Sequence, residues 1–238
     1  DKSVNNNVNA GHSGLFGYIG NNGVVKNLQI MNAKTVESPS CSNVGGIAAK
    51  SKGKILNCTV KHSSFTAASG GYVGAICGNM TDGYIKNCYT QNNTLTAPKN
   101  GYAGGIIGGS CGKILNSYTY DNSYHIGSDG YVGGIVCSIS HLYTLEIVNC
   151  YVMHSNYFNK NWGAIIGVPQ ENKYIFDNLF YNGGNIIANE NFSLEEKHIS
   201  ILLNEWIENT GKSKYQELTF KNWTISTEFT PNPAVFAE

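Results

Sequence analysis

Tyr72-Val73-Gly74-Ala75-Ile76, followed after a turn by Ile85-Lys86-Asn87-Cys88-Tyr89, decides the fold, because both halves of this stretch return about every 30 residues. The glycine core reappears as Gly14-Leu15-Phe16-Gly17, Gly45-Gly46-Ile47, Gly104-Gly105-Ile106, Gly133-Gly134-Ile135 and Gly163-Ala164-Ile165. In chain order the leading glycines are 31, 29, 30, 29 and 30 residues apart. The asparagine block reappears as Val25-Lys26-Asn27, Ile55-Leu56-Asn57, Ile114-Leu115-Asn116, Ile147-Val148-Asn149 and Phe176-Asp177-Asn178. A fixed period of this length belongs to stacked units that bury their apolar faces only against their neighbours. The expected fold is therefore all-β, a parallel β-solenoid of about six repeats with the right-handed coil usual for β-helices.

Within one repeat the first strand holds the glycine core, and a turn follows at Lys52-Gly53, Asp82-Gly83 or Cys111-Gly112. The second strand runs through the asparagine, and a polar stretch such as residues 121–129 has room for a third, weaker strand. Alternation places apolar side chains inward two residues before the asparagine, and again one and three residues after it. Those inward positions break period two at the asparagine itself, which predicts a bulge or corner there. Stacked once per turn, the asparagine amides could also bond to one another in a ladder. The chain has 28 glycines, and glycine, like asparagine, is expected to supply left-handed backbone at corners.

The last fifth of the sequence departs from the repeat. Ser193-Leu194-Glu195-Glu196 reads as a capping box ahead of an amphipathic helix, with Ile199, Leu202, Leu203, Trp206 and Ile207 on one face and Gly211 at its stop. Residues 218–225 are strand-like, and a short tail runs through Pro231 to Phe236. This divides the chain into a solenoid over residues 1–190 and a C-terminal cap over 191–238, with the helix at about 194–209. An open sheet edge invites further pairing, so the cap is expected to cover the end of the stack.

Composition narrows the function. Lys+Arg and Asp+Glu both number 16, a balance that argues against nucleic acid as the main partner. No apolar stretch is long enough to insert in a membrane, and residues 1–9 lack a basic leader pattern. Cysteine is present seven times, an odd number. Cys58, Cys88 and Cys150 follow the repeat asparagine, where Leu28, Ser117 and Leu179 stand in other repeats. A position shared by Cys, Ser and Leu reads as a small buried slot rather than a metal ligand.

With these residues in view, the chain resembles the GLUG-motif repeats of bacterial surface proteins and IgA peptidases. Gly14-Leu15-Phe16-Gly17 matches the core of that motif, and Tyr-Val-Gly-Gly-Ile followed by Ile-any-Asn-Cys-Tyr is its variant. The segment from Leu203 to Trp206, Trp223, and Ala234 to Phe236 is similar to the close of such arrays. The resemblance covers roughly residues 10–236. It implies a parallel β-solenoid, an extracellular or cell-surface location and an adhesin or spacer role. It does not carry the peptidase chemistry, which needs His-Glu-x-x-His on a helix; His198 has no histidine four residues away.

Residues with catalytic potential are scattered. His62 and His154 share the position five after the repeat asparagine with Asp121, on separate turns, and read as surface residues. Asp82 and Asp129 precede glycine and read as turn residues. Asp121 could act as a general acid only beside a second carboxylate at glycosidase spacing. The glycine runs lack the lysine and the helix of a phosphate loop. The expected chain is thus non-enzymatic, with no cofactor and no metal.

The tyrosines carry the one hint of recognition. Tyr89, Tyr118 and Tyr151, with Phe180, stand two after the asparagine, at outward positions. Tyr72, Tyr102 and Tyr131 precede the glycine core, with Trp162 displaced by one. Aromatic faces at regular spacing can stack on glycan rings or on a protein partner, of host or matrix origin. They can equally support one another along a sheet. A carbohydrate-binding module or a polysaccharide-degrading β-helix enzyme is the alternative function.

Overall fold

The computed structural model describes residues 11–35, 42–110, 112–139, 144–153, 155–157, 161–168, 174–181, 196–216, 218–225 and 234–236. One turn of the chain lays down the strands Tyr72–Gly74, Cys77–Met80, Tyr84–Lys86, Tyr89–Gln91 and Thr94–Ala97. Successive turns stack these strands into parallel sheets: two of six strands, one of ten around the asparagine corner, and one of four. Register follows the repeat, so that Asn43, Tyr72, Tyr102 and Tyr131 align across the first sheet. The expected parallel β-solenoid is what the chain forms, with six levels from His12–Ser13 to Trp162–Gly163 in that sheet. The weaker third strand is present too, as Ser64–Thr66, Thr94–Ala97 and Ser123–Ile126.

The core is a column of repeat-equivalent side chains. Ile55, Ile85, Ile114 and Ile147 are fully buried two before the asparagine, as are Cys58, Cys88 and Cys150 one after it. At the third inward position Thr90 and Thr119 donate their hydroxyls to the carbonyls of Gly105 and Gly134, at 2.9 and 3.1 Å. The corner at the asparagine is real and left-handed: φ is +57° at Asn27, +52° at Asn57, +53° at Asn87, +47° at Asn116, +53° at Asn149 and +52° at Asn178.

Gly11, Gly70 and Gly83 have positive φ as expected of glycine at turns, at +66°, +70° and +84°, but the glycines of the repeat core do a different job. None of Gly45, Gly74, Gly104, Gly133 and Gly163 has positive φ; their column is set by close approach. A Cβ on Gly104 would overlap the Ile107 carbonyl oxygen, and the same conflict recurs at Gly45 with Ala48, Gly74 with Cys77, Gly133 with Val136 and Gly163 with Ile166. The chain doubles back on itself between the first two sheets, leaving no room for a side chain on the inside of the bend. At the repeat corner left-handed backbone falls to asparagine, whose side chain can also bond across levels.

The C-terminal segment covers a flank of the stack. Its helix, Glu196–Trp206, continues as a π-helical turn, Ile207–Gly211, and a last turn, Lys212–Lys214. Gly211 is therefore not the stop: it is helical at φ −60° and ψ −46°, and its missing Cβ makes room for Trp206, whose ring a Cβ would meet at 2.7 Å. The capping box at residues 193–195 lies outside the described residues. Trp223–Ile225 pairs antiparallel with Ala234–Phe236. Leu203, Trp206, Ile207 and Trp223 pack on Leu115, Tyr118, Tyr120, Val148, Tyr151, Met153 and Phe180 as a second apolar cluster. Those outward residues make one side of the rod apolar, and burying that side draws the segment to the flank.

Candidate functional site

On this flank the repeat asparagines and tyrosines run as adjacent columns. The ladder forms at every step: Asn57 Nδ2 donates to Asn27 Oδ1 at 3.1 Å, Asn87 to Asn57 at 3.0 Å, and Asn116 to Asn87 at 2.8 Å. Asn149 then donates to Asn116 at 2.6 Å and Asn178 to Asn149 at 2.5 Å. A primary amide has two N–H donors and an oxygen with two lone pairs, so each rung has capacity beyond the ladder. The C-terminal segment uses it. Asn87 Nδ2 donates to Thr219 O at 3.2 Å, Asn116 Nδ2 donates to Lys221 O at 2.9 Å, and the Trp223 indole N–H donates to Asn116 Oδ1 at 2.7 Å.

The tyrosines beside the ladder stack face to face. Ring centroids are 4.6 Å apart for Tyr89 and Tyr118 and 5.0 Å for Tyr118 and Tyr151, each pair within 5° of parallel. Trp223 lies tilted across both Tyr118 and Tyr151 at 5.5 Å. Alternation correctly points this column away from the core, but it is not offered to a ligand. Tyr118 is 2% exposed and Tyr151 0%, covered by the chain's own C-terminal residues. Tyr89, half-buried, lies at the margin of the cover with the Lys61 ammonium 4.8 Å above its ring.

The other aromatic column is open. Tyr72, Tyr102 and Tyr131 are half-buried and stacked, with centroids 4.9 and 6.0 Å apart and planes within 16° and 9°. Gly109 gives the Tyr72 ring its seat, since a Cβ there would lie 2.8 Å from the ring. Burial, then the neighbouring Tyr102, raises the Tyr72 phenol above its ordinary range. Trp162 does not extend the column. It aligns with Val132, at an inward position, and packs against the core.

The polar slots of the repeat are also structural. Asn32, His62, Asn92 and Asp121 all have φ between +48° and +53°, a second left-handed corner five residues after the first. This explains why His, Asp and Asn alternate there, and the period-two reading missed it; His154 lies outside the described residues. Asp129 has φ +60°, and Asp82 accepts the Gly83 N–H at 2.7 Å, both as turn residues. The cysteine slot is more than small. Cys88 donates to Lys86 O at 3.2 Å and Ser117 to Leu115 O at 2.8 Å, while Ser117 Oγ and Cys150 Sγ accept the N–H of Cys88 and Ser117. Ser and Cys interchange because both can donate and accept there. Burial pushes the Cys77 and Cys150 thiols up to about 12, so they are poor nucleophiles.

Titratable groups gather where the helix end meets the flank. Glu146 accepts the Tyr215 hydroxyl and pairs with Lys113 at 2.9 Å, and Lys214 stands 3.7 Å from Asp177. Burial alone would raise the Glu146 carboxyl, but Tyr215 and Lys113 outweigh it and hold the carboxyl below its ordinary range. No group of three or more His, Cys, Asp or Glu that could hold a metal occurs among the described residues. No helix among them is long and apolar enough to cross a membrane.

Together these features define a class, a parallel β-solenoid of stacked repeats with a C-terminal segment folded along one flank. No family model matches the chain, and no curated protein matches it. Among solved structures it is similar to one described as a putative immunoglobulin A1 protease from Bacteroides ovatus, with a TM-score of 0.59 and 19% identity over 94% of this chain and 75% of that one. At that identity the likeness extends to the fold alone.

Proposed function

We propose that the chain is a non-catalytic module of an extracellular bacterial surface protein of the GLUG-repeat type. It holds out an elongated surface as an adhesin or spacer, and the open tyrosine stack is where it meets a glycan. The observation that carries this reading is how the repeat spends its chemistry. Asparagine, cysteine, threonine and one tyrosine column are bound within the molecule, whereas the stacked rings of Tyr72, Tyr102 and Tyr131 stay half-exposed at the surface. The likeness to the structure described as a putative immunoglobulin A1 protease supports the solenoid fold on which this reading rests. A hydrolase reading would need Asp121 beside a second carboxylate at glycosidase spacing; Glu146, for its part, is engaged by Tyr215 and Lys113.

The test is retention on a glycan array. Tyr102→Ala, which removes the middle ring of the stack, should weaken glycan binding about tenfold while leaving the thermal midpoint nearly unchanged. Equal retention by the variant and the unaltered chain, or none by either, would count against the tyrosine stack as a recognition surface.

A further inference from the structure

The flank ladder continues past the point where the chain's own segment stops covering it. Where it is covered, a segment running along the ladder is read through its backbone: Thr219 O and Lys221 O are received by Asn87 and Asn116, and the Lys221 N–H donates to Asn87 Oδ1 at 3.3 Å. Alternate residues thus fall on successive rungs. Lys86 adds its ammonium to Thr219 O at 2.7 Å.

Two rungs lie beyond. Asn57 spends one amide proton on Asn27 and one lone pair on Asn87, so it retains the donor and lone pair that Asn87 uses for the covering strand. Asn87 is 4% exposed and Asn116 0%, whereas Asn57 is partly exposed and Asn27 exposed. Val24 and Met31, 52% and 48% exposed, and Leu56 lie beside these rungs. So do Lys26, Lys54 and Lys61, and the Lys54 and Lys61 ammonium groups sit 5.5 and 4.8 Å over the rings of Tyr84 and Tyr89. Lys26, Lys54 and Lys61 make this face basic although the whole chain has zero net charge.

We propose that the face around Asn27 and Asn57 binds an extended acidic polypeptide running along the stack, in continuation of residues 219–221. The ladder asks for alternating backbone carbonyl and N–H groups, and the lysines ask for carboxylates. A nucleic acid would answer the lysines, but its phosphates give the asparagine oxygens no donor.

The test uses the full chain and a fluorescein-labelled peptide of alternating glutamate and leucine, with oligouridylate as the competing polyanion. The peptide should bind in a salt-dependent manner and shift the side-chain amide resonances of Asn27 and Asn57. The double change Lys54→Glu and Lys61→Glu should weaken it about tenfold or more, whereas Lys99→Glu, in the turn before Tyr102, should not. Absent binding, binding indifferent to the double charge reversal, or unmoved ladder amides would each overturn the proposal. So would oligouridylate moving the same amides as strongly. The resonance shifts are read on the unaltered chain, so the test stands even where a variant folds poorly.

Discussion

Asn116→Ala is expected to destabilise the fold by about 4 kcal/mol or more, read as the shift of the urea midpoint at constant slope. Three effects add at this residue. Alanine at φ +47° adopts the left-handed backbone at a cost of about 1 kcal/mol or more. Removing the amide takes acceptors from Asn149 Nδ2 and the Trp223 indole, and a donor from Asn87 Oδ1 and Lys221 O. Asn149 and Trp223 are buried, so each of these lost bonds costs about 1–3 kcal/mol where water cannot replace the partner, while Asn87 Oδ1 keeps the Lys221 N–H. Asn27→Ala is the comparison. Asn27 has the same backbone but is exposed, and its effect should stay near the backbone cost alone. Equal effects at the two positions would show that the ladder contributes nothing beyond its corner.

Gly104→Ala should be nearly as damaging, at about 3 kcal/mol or more by the same measurement. The added Cβ would overlap the Ile107 carbonyl oxygen and lie 2.9 Å from the backbone nitrogen of Cys137 on the next level. Both obstacles are backbone held in parallel ladders, so neither can swing aside as a side chain would. Gly17→Ala offers the control within the same motif, since a Cβ there meets nothing within 4 Å and should be close to neutral. A mild effect at Gly104 would mean that the bend between the first two sheets can open.

What the sequence made legible follows from which interactions repeat. The period, the parallel stack, the inward columns and the asparagine corner all recur at each level, and a pattern seen six times is read against itself. The asparagine ladder was legible for that reason. The glycine core was recognised as architecture but assigned the wrong physics, because composition cannot distinguish a left-handed residue from one crowded by backbone. The second corner was missed because Asn32, His62, Asn92 and Asp121 look like solvated polar residues until their dihedrals are known.

The tyrosine columns show the sharper limit. Alternation gives the direction of a side chain relative to its own sheet and nothing about what else arrives there. Tyr118 and Tyr151 point outward as expected, yet Trp223, from far along the chain, lies across both rings. The chemical signal was present in the sequence: Leu115, Val148 and Met153 extend the outward tyrosines into an apolar face, which needs a partner in water. Trp162 departs from its column by one residue, and a one-residue shift in a strand reverses the side it faces.

The position of the C-terminal segment along the flank closes one aromatic column, bonds the ladder at Asn87 and Asn116 and leaves two rungs open. Nuclear Overhauser contacts from the Trp223 indole measure it directly. Contacts to the rings of both Tyr118 and Tyr151 are expected, because Trp223 lies 5.5 Å from each. A Trp223 indole in contact with neither ring would contradict the account.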